Sequence, residues 1–207
     1  MDAPAKEHLL TLPNIITLVR VALVPAFVVM VLQKNGFGAL LVFTLAGLTD
    51  VLDGLTARLL KRKTKIGALI DPIADKLLLS AAFILLTFKD MDLDYMIPLW
   101  LTIVVISRDL LILLGGIVIY LWKGIKEFPP SAFGKLSTVL QVGTVFLVLL
   151  ANYVRSSSWS RFSVLASLSS PSFLQAIFLF TMASTVISGA HYVIRGIRLT
   201  FFAPKKG

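Results

Sequence analysis

The stretch Leu48–Leu79, LTDVLDGLTARLLKRKTKIGALIDPIADKLLL, carries four aspartates, Asp50, Asp53, Asp71 and Asp75, in a chain that is 57% hydrophobic. Asp50 and Asp53 stand at i and i+3, and Asp71 and Asp75 at i and i+4. If both flanks are helical, each pair lies on one helical face. The basic turn between them is short, so the two helices run antiparallel and adjacent. The two carboxylate faces then converge on one point.

The surroundings of these aspartates are those of a membrane protein. The chain has 207 residues, only 15% of them charged, and a mean hydropathy of +0.89. A soluble domain of this size needs a polar surface that this composition does not supply. The expected fold class is all-α integral membrane, a six-transmembrane-helix bundle in one domain spanning 1–207, with a short cytoplasmic segment at 1–11. The apolar runs reach the ~20 residues that a bilayer crossing requires. They lie at about Leu12–Leu32, Phe37–Leu60, Ile66–Phe88, Tyr95–Trp122, Phe133–Tyr153 and Phe173–Ile197. Between them QKNGFG reads as a tight turn, KDMDLD as an acidic loop, and KGIKEFPP as a Gly/Pro break. The first ten residues, MDAPAKEHLL, do not read as a transit peptide, and the apolar run after them is too long for a signal-peptide core.

Charge sets the orientation. With six spans both termini share one side. That side receives thirteen lysines and arginines, among them Arg58, Lys61, Arg62, Lys63 and Lys65, against four on the other, Lys34, Lys89, Arg155 and Arg161. The asymmetry predicts cytoplasmic termini and a cytoplasmic aspartate-rich turn. The net charge of +9 is thereby explained as membrane topology. No nucleic-acid motif accompanies it, so nucleic acid is not an expected partner. The absence of cysteine excludes disulfides and thiolate metal sites.

Four ionised aspartates inside a bundle need partners, and Arg58 and Lys76 are too few to neutralise them. Hard divalent cations suit the remainder, since magnesium commonly binds carboxylates together with substrate phosphates. A carboxylate set without histidine or cysteine points to magnesium or manganese rather than zinc or copper. Solvated helix ends would explain a lone aspartate, but not four in paired register with glycines between them. Gly54 and Gly67 each carry the cost of glycine in a helix. Close helix packing would offset that cost, and so would a flat ligand lying against bare backbone beside Gly54 and Ala57.

The arrangement Asp50-x2-Asp53-Gly54-x2-Ala57-Arg58-x8-Gly67-x3-Asp71-x3-Asp75 resembles the signature of the CDP-alcohol phosphatidyltransferases, with every signature position present. The resemblance implies transfer of a phosphatidyl or related group from a CDP-linked lipid to an alcohol, with release of CMP. It implies two Mg2+ or Mn2+ ions held by Asp50, Asp53, Asp71 and Asp75, and Asp75 as the base that takes the acceptor's hydroxyl proton. Gly54, Ala57, Arg58 and Gly67 would line the CDP site. The implied partners are CDP-diacylglycerol, an anionic alcohol, membrane lipids and a second copy of the chain, in a bacterial cytoplasmic membrane with the site facing the cytoplasm. Such chemistry needs positioning and charge neutralisation more than covalent help.

The flanks LPNIITLVRVALVP and DPIADK resemble the branch that includes phosphatidylglycerophosphate synthases and the CDP-diacylglycerol type of cardiolipin synthases. Both take anionic acceptors, so cations inside the bundle are expected. Arg108 and Lys135 are the candidates for an acceptor-phosphate clamp, a guanidinium fork and a point charge. The plainer readings are a structural Arg108–Asp109 pair, a Lys135 that snorkels to the interface, and a similar interhelical pair for Arg20. Glycerol 3-phosphate is the expected acceptor. Phosphatidylglycerol is the alternative, because Arg108-Asp109 departs from the Arg-Glu, with a further Arg, common in phosphatidylglycerophosphate synthases. A divalent-cation transporter is the competing class, although it gives Gly54 and Arg58 no role. An inactive scaffold would not need the full signature.

Overall fold

The computed structural model of the chain describes residues 12–60, 76–88, 93–123, 131–156 and 167–201, with backbone alone at 12–18, 50–60, 120, 122–123 and 199–201. The regular structure among them is helical: α1 Leu12–Leu32, α2 Gly36–Leu60, α3 Lys76–Leu85, α4 Leu99–Lys123, α5 Ala132–Ser156 and α6 Pro171–Phe201. Three stretches are long and apolar enough to cross a bilayer, Leu99–Ile119, Ala132–Ser156 and Pro171–Arg198. The described parts of the first three helices contribute shorter apolar stretches of 10–17 residues, Val19–Leu32, Gly36–Thr49 and Lys76–Leu85. The all-helical class and membrane-spanning length are thus present, and the fuller six-span bundle remains a sequence expectation. The chain forms two compact units, Met1–Leu93 and Asp94–Gly207.

In the first unit α1 packs against α2. Phe27, Val31, Ala39, Phe43 and Ala46 are buried, and the Phe27 and Phe43 rings meet at 5.8 Å between centroids in a tilted pair. The turn between the helices explains their close return. Lys34 ends α1 with φ 58°, a left-handed conformation that usually falls to glycine. Asn35 then donates its backbone N–H to the Met30 carbonyl at 3.0 Å. Its side-chain oxygen accepts from the Gly38 N–H at 2.8 Å, so it caps α2. A Cβ on Gly38 would sit 2.6 Å from the Met30 sulfur and 3.0 Å from the Asn35 side chain, so a larger residue would push the methionine aside and crowd the cap. Arg20 is buried on α1, and α3 buries Leu78, Leu79, Ala82 and Phe83.

In the second unit α6 packs against both α4 and α5. Each helix start has a local cause. The Pro98 carbonyl accepts from the N–H groups of Leu101 and Thr102, so the fourth helix begins at Leu99 and not at the expected Tyr95. Tyr95 instead lies in a bend tied to Asn152 of α5, whose amide accepts from the Tyr95 N–H at 3.0 Å and donates to its carbonyl at 2.8 Å. Ser131 caps α5 through the Gly134 N–H, and Ser170 caps α6 with Pro171 at the first helical position.

Alongside an apolar core, the second unit holds a buried polar seam between α5 and α6 and exposes large apolar residues outside. Ser137, Gln141 and Thr144 on α5, and Thr181, Thr185 and Ser188 on α6, are fully buried. They form a hydrogen-bonded seam. Thr185 donates to its own helix at the Thr181 carbonyl. Its oxygen therefore accepts from Gln141 at 3.2 Å and pairs with Ser137 at 3.1 Å. Thr144 donates to the Leu140 carbonyl, which leaves Thr181 to donate to Thr144 at 2.7 Å. Meanwhile Leu113, Leu114, Val118, Leu121, Phe180, Val186 and Ile187 are exposed. A soluble fold would be destabilised by that outer surface. Lipid favours it, and small hydroxyl residues are what membrane helices use against one another.

Candidate active site

Two of the expected carboxylates stand on α2. The helix runs unbroken from Gly36 to Leu60. At 3.6 residues per turn, Asp50, Asp53, Gly54 and Ala57 fall within an arc of about 100°, and Arg58 lies about 40° beyond it. One helix face thus presents two of the expected metal ligands and two of the expected CDP contacts in register. Asp71, Asp75 and Gly67 lie outside the described residues, as does the basic turn 61–65. The donor chemistry fits a hard divalent cation, because every candidate ligand is a carboxylate and the chain has no cysteine.

A separate candidate group, the expected acceptor clamp, begins on α4. Arg108 is about 14 Å along the helix from Leu99, in the middle of a spanning segment, and is 8% exposed. Its guanidinium is held at two points. One terminal nitrogen donates to Asp109 Oδ1 at 2.7 Å, and the other to Ser188 Oγ of α6 at 2.9 Å. The Nε–H is buried with no hydrogen-bond partner among the described residues. A buried donor on a charged group is costly to leave unmade, so this N–H suits an acceptor atom brought by a ligand.

One glycine makes the room. A Cβ on Gly134 of α5 would lie 3.2 Å from Arg108 Nη2, tighter than most packed contacts, whereas one on Gly189 of α6 would lie at an ordinary 3.7 Å from Arg108 Cγ. Lys135, the other expected clamp residue, follows Gly134 and is exposed. Arg108 is therefore buried between α4, α5 and α6, whereas Lys135 stands at the start of α5 with its side chain outward.

Sequence reading passed over several residues here. Ser188 holds the guanidinium. Tyr192 stands where the charges of both Arg195 and Arg108 act on its hydroxyl. His191 stacks on Phe133 at 5.3 Å. Thr181, Thr185, Ser188, Tyr192 and Arg195 repeat at spacings of four and three along an apolar helix. That periodic polar stripe was the available signal.

Comparison with known proteins agrees with this architecture. A family model described as CDP-alcohol phosphatidyltransferase matches residues 10–187. A Mycobacterium tuberculosis protein named "Putative cardiolipin synthase" is 37% identical over 137 residues, 64% of this chain and 61% of its own. The CDP-diacylglycerol–glycerol-3-phosphate 3-phosphatidyltransferase of Bacillus subtilis is 35% identical over 156 residues, 68% of this chain and 77% of its own. A Mycobacterium tuberculosis protein named "Probable phosphatidylglycerophosphate synthase" is 32% identical over 203 residues, 93% of this chain and 85% of its own. The chain thus spans less than two thirds of the length of the first of these relatives. A signature complete from Asp50 to Asp75, a helical α2 that holds its first half in register, and a family match across most of the sequence lead to one assignment: the chain belongs to the CDP-alcohol phosphatidyltransferase family.

Proposed function

We propose that the protein transfers a phosphatidyl group from CDP-diacylglycerol to a glycerol hydroxyl of a phosphate-bearing acceptor, releasing CMP. The observation that carries this reading is the register of α2, which sets Asp50, Asp53, Gly54 and Ala57 in one arc. Asp50, Asp53, Asp71 and Asp75 would hold two Mg2+ or Mn2+ ions, whose chemistry would be to neutralise the diphosphate. Gly54, Ala57, Arg58 and Gly67 line the CDP portion. The acceptor oxygen attacks the phosphorus that bears the diacylglycerol, and the bond to the CMP oxygen breaks. The hydroxyl proton passes to the Asp75 carboxylate, which stays ionised beside cations and acts by position rather than by a raised pKa. Arg108 binds the acceptor phosphate, with Lys135 at the entrance. The excess of lysine and arginine in the loops of one side supports a site facing the cytoplasm.

Two acceptors share this chemistry. Glycerol 3-phosphate is supported by the sequence flanks and by the names of two relatives. Phosphatidylglycerol is supported by the Arg108–Asp109 ion pair, which sets a carboxylate beside the cation that a phosphate would meet.

The test is CMP release by purified protein given labelled CDP-diacylglycerol, magnesium or manganese, and either acceptor, with serine and inositol phosphate as controls. Metal-dependent release with a glycerophosphate acceptor is expected. Full activity in chelator, or a preference for serine, would overturn the proposal. Metal uptake with no CMP release would favour the transporter.

A further inference from the structure

The bond that holds Arg108 also marks where α4 and α6 begin to part. Arg108 Nη2 donates to Ser188 Oγ at 2.9 Å. Gly196, about two turns beyond Ser188, would bring a Cβ to 3.6 Å from Ile119 Cδ1, about three turns beyond Arg108. The two helices therefore run in the same direction from one contact to the next. Along this stretch lies a groove of about 450 Å³, lined by Leu111, Gly115 and Val118 of α4 and by Tyr192, Val193 and Gly196 of α6. We propose that this groove seats an acyl chain of the acceptor, which is then a phospholipid with its phosphate at Arg108 and not a small water-soluble glycerophosphate. This rests on the reading that Arg108 meets the acceptor phosphate.

Groove and guanidinium are continuous. At 3.6 residues per turn, Arg108, Gly115 and Ile119 fall within about 40° of one another on α4, so the groove follows the helix face that carries the arginine. Leu111 and Tyr192 stand one turn from Arg108 and Ser188. Arg108 is buried, and its Nε–H has no hydrogen-bond partner among the described residues. An apolar slot that starts beside a cation with a spare donor is complementary to an amphiphile with an anionic head. A glycerophosphate without chains would engage the arginine and leave the slot unused.

The slot is open where packing could have closed it. A Cβ on Gly115 would meet nothing within 4 Å. Glycine weakens a helix interior relative to alanine, and no close helix approach at Gly115 offsets that loss. On the rim, Leu114, Val118 and Val193 are exposed, and they belong to stretches long and apolar enough to cross a bilayer. A chain can thus enter sideways from lipid.

The test uses the full chain in mixed micelles with magnesium and CDP-diacylglycerol. It reads kcat/KM for long-chain phosphatidylglycerol, its dihexanoyl analogue and glycerol 3-phosphate. Wild type should prefer the long-chain lipid to both. Gly115→Leu starts a side chain in open space within the groove. It should lower kcat/KM for the long-chain lipid by about fivefold, the effect of about ten lost atom contacts. The KM for CDP-diacylglycerol and the use of the dihexanoyl analogue should stay unchanged, and Gly115→Ala, which adds little bulk, should remain near wild type. A phosphatidylglycerol with a photoreactive diazirine in one chain should label α4 and α6 of wild type, and unlabelled phosphatidylglycerol should displace it where phosphatidylcholine does not.

A wild-type preference for glycerol 3-phosphate, an unchanged kcat/KM in Gly115→Leu, or labelling displaced equally by phosphatidylcholine, the mark of bulk lipid alone, overturns the proposal. So does a raised KM for CDP-diacylglycerol in Gly115→Leu, which assigns the groove to the donor, or an altered oligomeric state, which assigns it to a second copy of the chain. In each of these cases the Arg108 reading stands if Arg108→Ala still raises acceptor KM; if it does not, that reading fails first. Should Gly115→Leu not fold, wild type decides: equal kcat/KM for the long-chain and dihexanoyl lipids refutes the groove.

Discussion

Gly134 allows stability and acceptor binding to be separated by a single methyl group. In Gly134→Ala the new Cβ lies 3.2 Å from Arg108 Nη2, 3.3 Å from Ser131 Oγ and 3.7 Å from Ser188 Oγ. Ser131 cannot retreat without loosening its cap on α5, so the guanidinium yields by a few tenths of an ångström. Its bond to Ser188, now 2.9 Å, lengthens toward the limit of a useful hydrogen bond. Losing part of a charged hydrogen bond worth about 1.5–3 kcal/mol should raise acceptor KM by about threefold to tenfold. The helix itself gains, because alanine is favoured over glycine by up to about 1 kcal/mol, less so in a first turn. The expected outcome is therefore a melting temperature equal to or above wild type in detergent, an unchanged KM for CDP-diacylglycerol and a raised KM for the acceptor. Gly134→Val should enlarge the KM effect. An acceptor KM at the wild-type value in both variants would refute the placement of the acceptor phosphate at Arg108. A loss of stability with both KM values raised would show that Gly134 serves packing alone.

Other residues give further outcomes. Asp71→Asn should weaken metal affinity, read by the magnesium concentration that restores half-maximal rate. Asp75→Asn should abolish turnover more than it weakens CDP-diacylglycerol binding, because a ligand and a base fail differently; equal losses in both variants would refute Asp75 as the base. Asn152→Ala strips the partners from the Tyr95 N–H and carbonyl and should destabilise the second unit by about 1–3 kcal/mol, read by detergent melting, with kcat little changed; unaltered melting would show that water replaces the amide.

Helix positions were legible in the sequence because apolar runs are long and end on local signals. The first helix ends at Leu32 as expected, and the second starts at Gly36, one residue before the expected Phe37. The fourth was misjudged by four residues. Hydropathy counts Tyr95, Met96 and Ile97 as part of the span, whereas the backbone obeys Pro98 and a partner 57 residues away in Asn152. Such a long-range amide clamp has no local pattern. The register of Asp50 and Asp53 was legible because helical period alone sets it, whereas Asp71 and Asp75 lie outside the described residues. The plain reading of Arg108, a pair with its neighbour, was also right. Ser188 and Gly134 could not be paired with Arg108 in advance, because that contact depends on how α5 and α6 rotate about their axes. The seam of Ser137, Gln141, Thr144, Thr181 and Thr185 fixes that rotation, and its members look individually like tolerated hydroxyls in apolar helices.

A charged arginine in the middle of a spanning helix costs about 2.5–3.5 kcal/mol to insert. Two of its donor groups are used, on Asp109 and Ser188, and the neutral hydroxyl contributes less than a carboxylate does. The α5–α6 seam adds rigidity, so the guanidinium has little freedom to find other partners by moving. The Nε–H is left with no partner among the described residues. A lone structural ion pair would be better served by bidentate contact with its carboxylate, the strongest arrangement open to arginine. The pair here is end-on through one nitrogen, while Gly134 leaves the guanidinium room that a side chain would take. Destabilisation retained in this form is physically sensible where a ligand completes the bonding. A phosphate oxygen at Nε is the group that does so with charge as well as geometry.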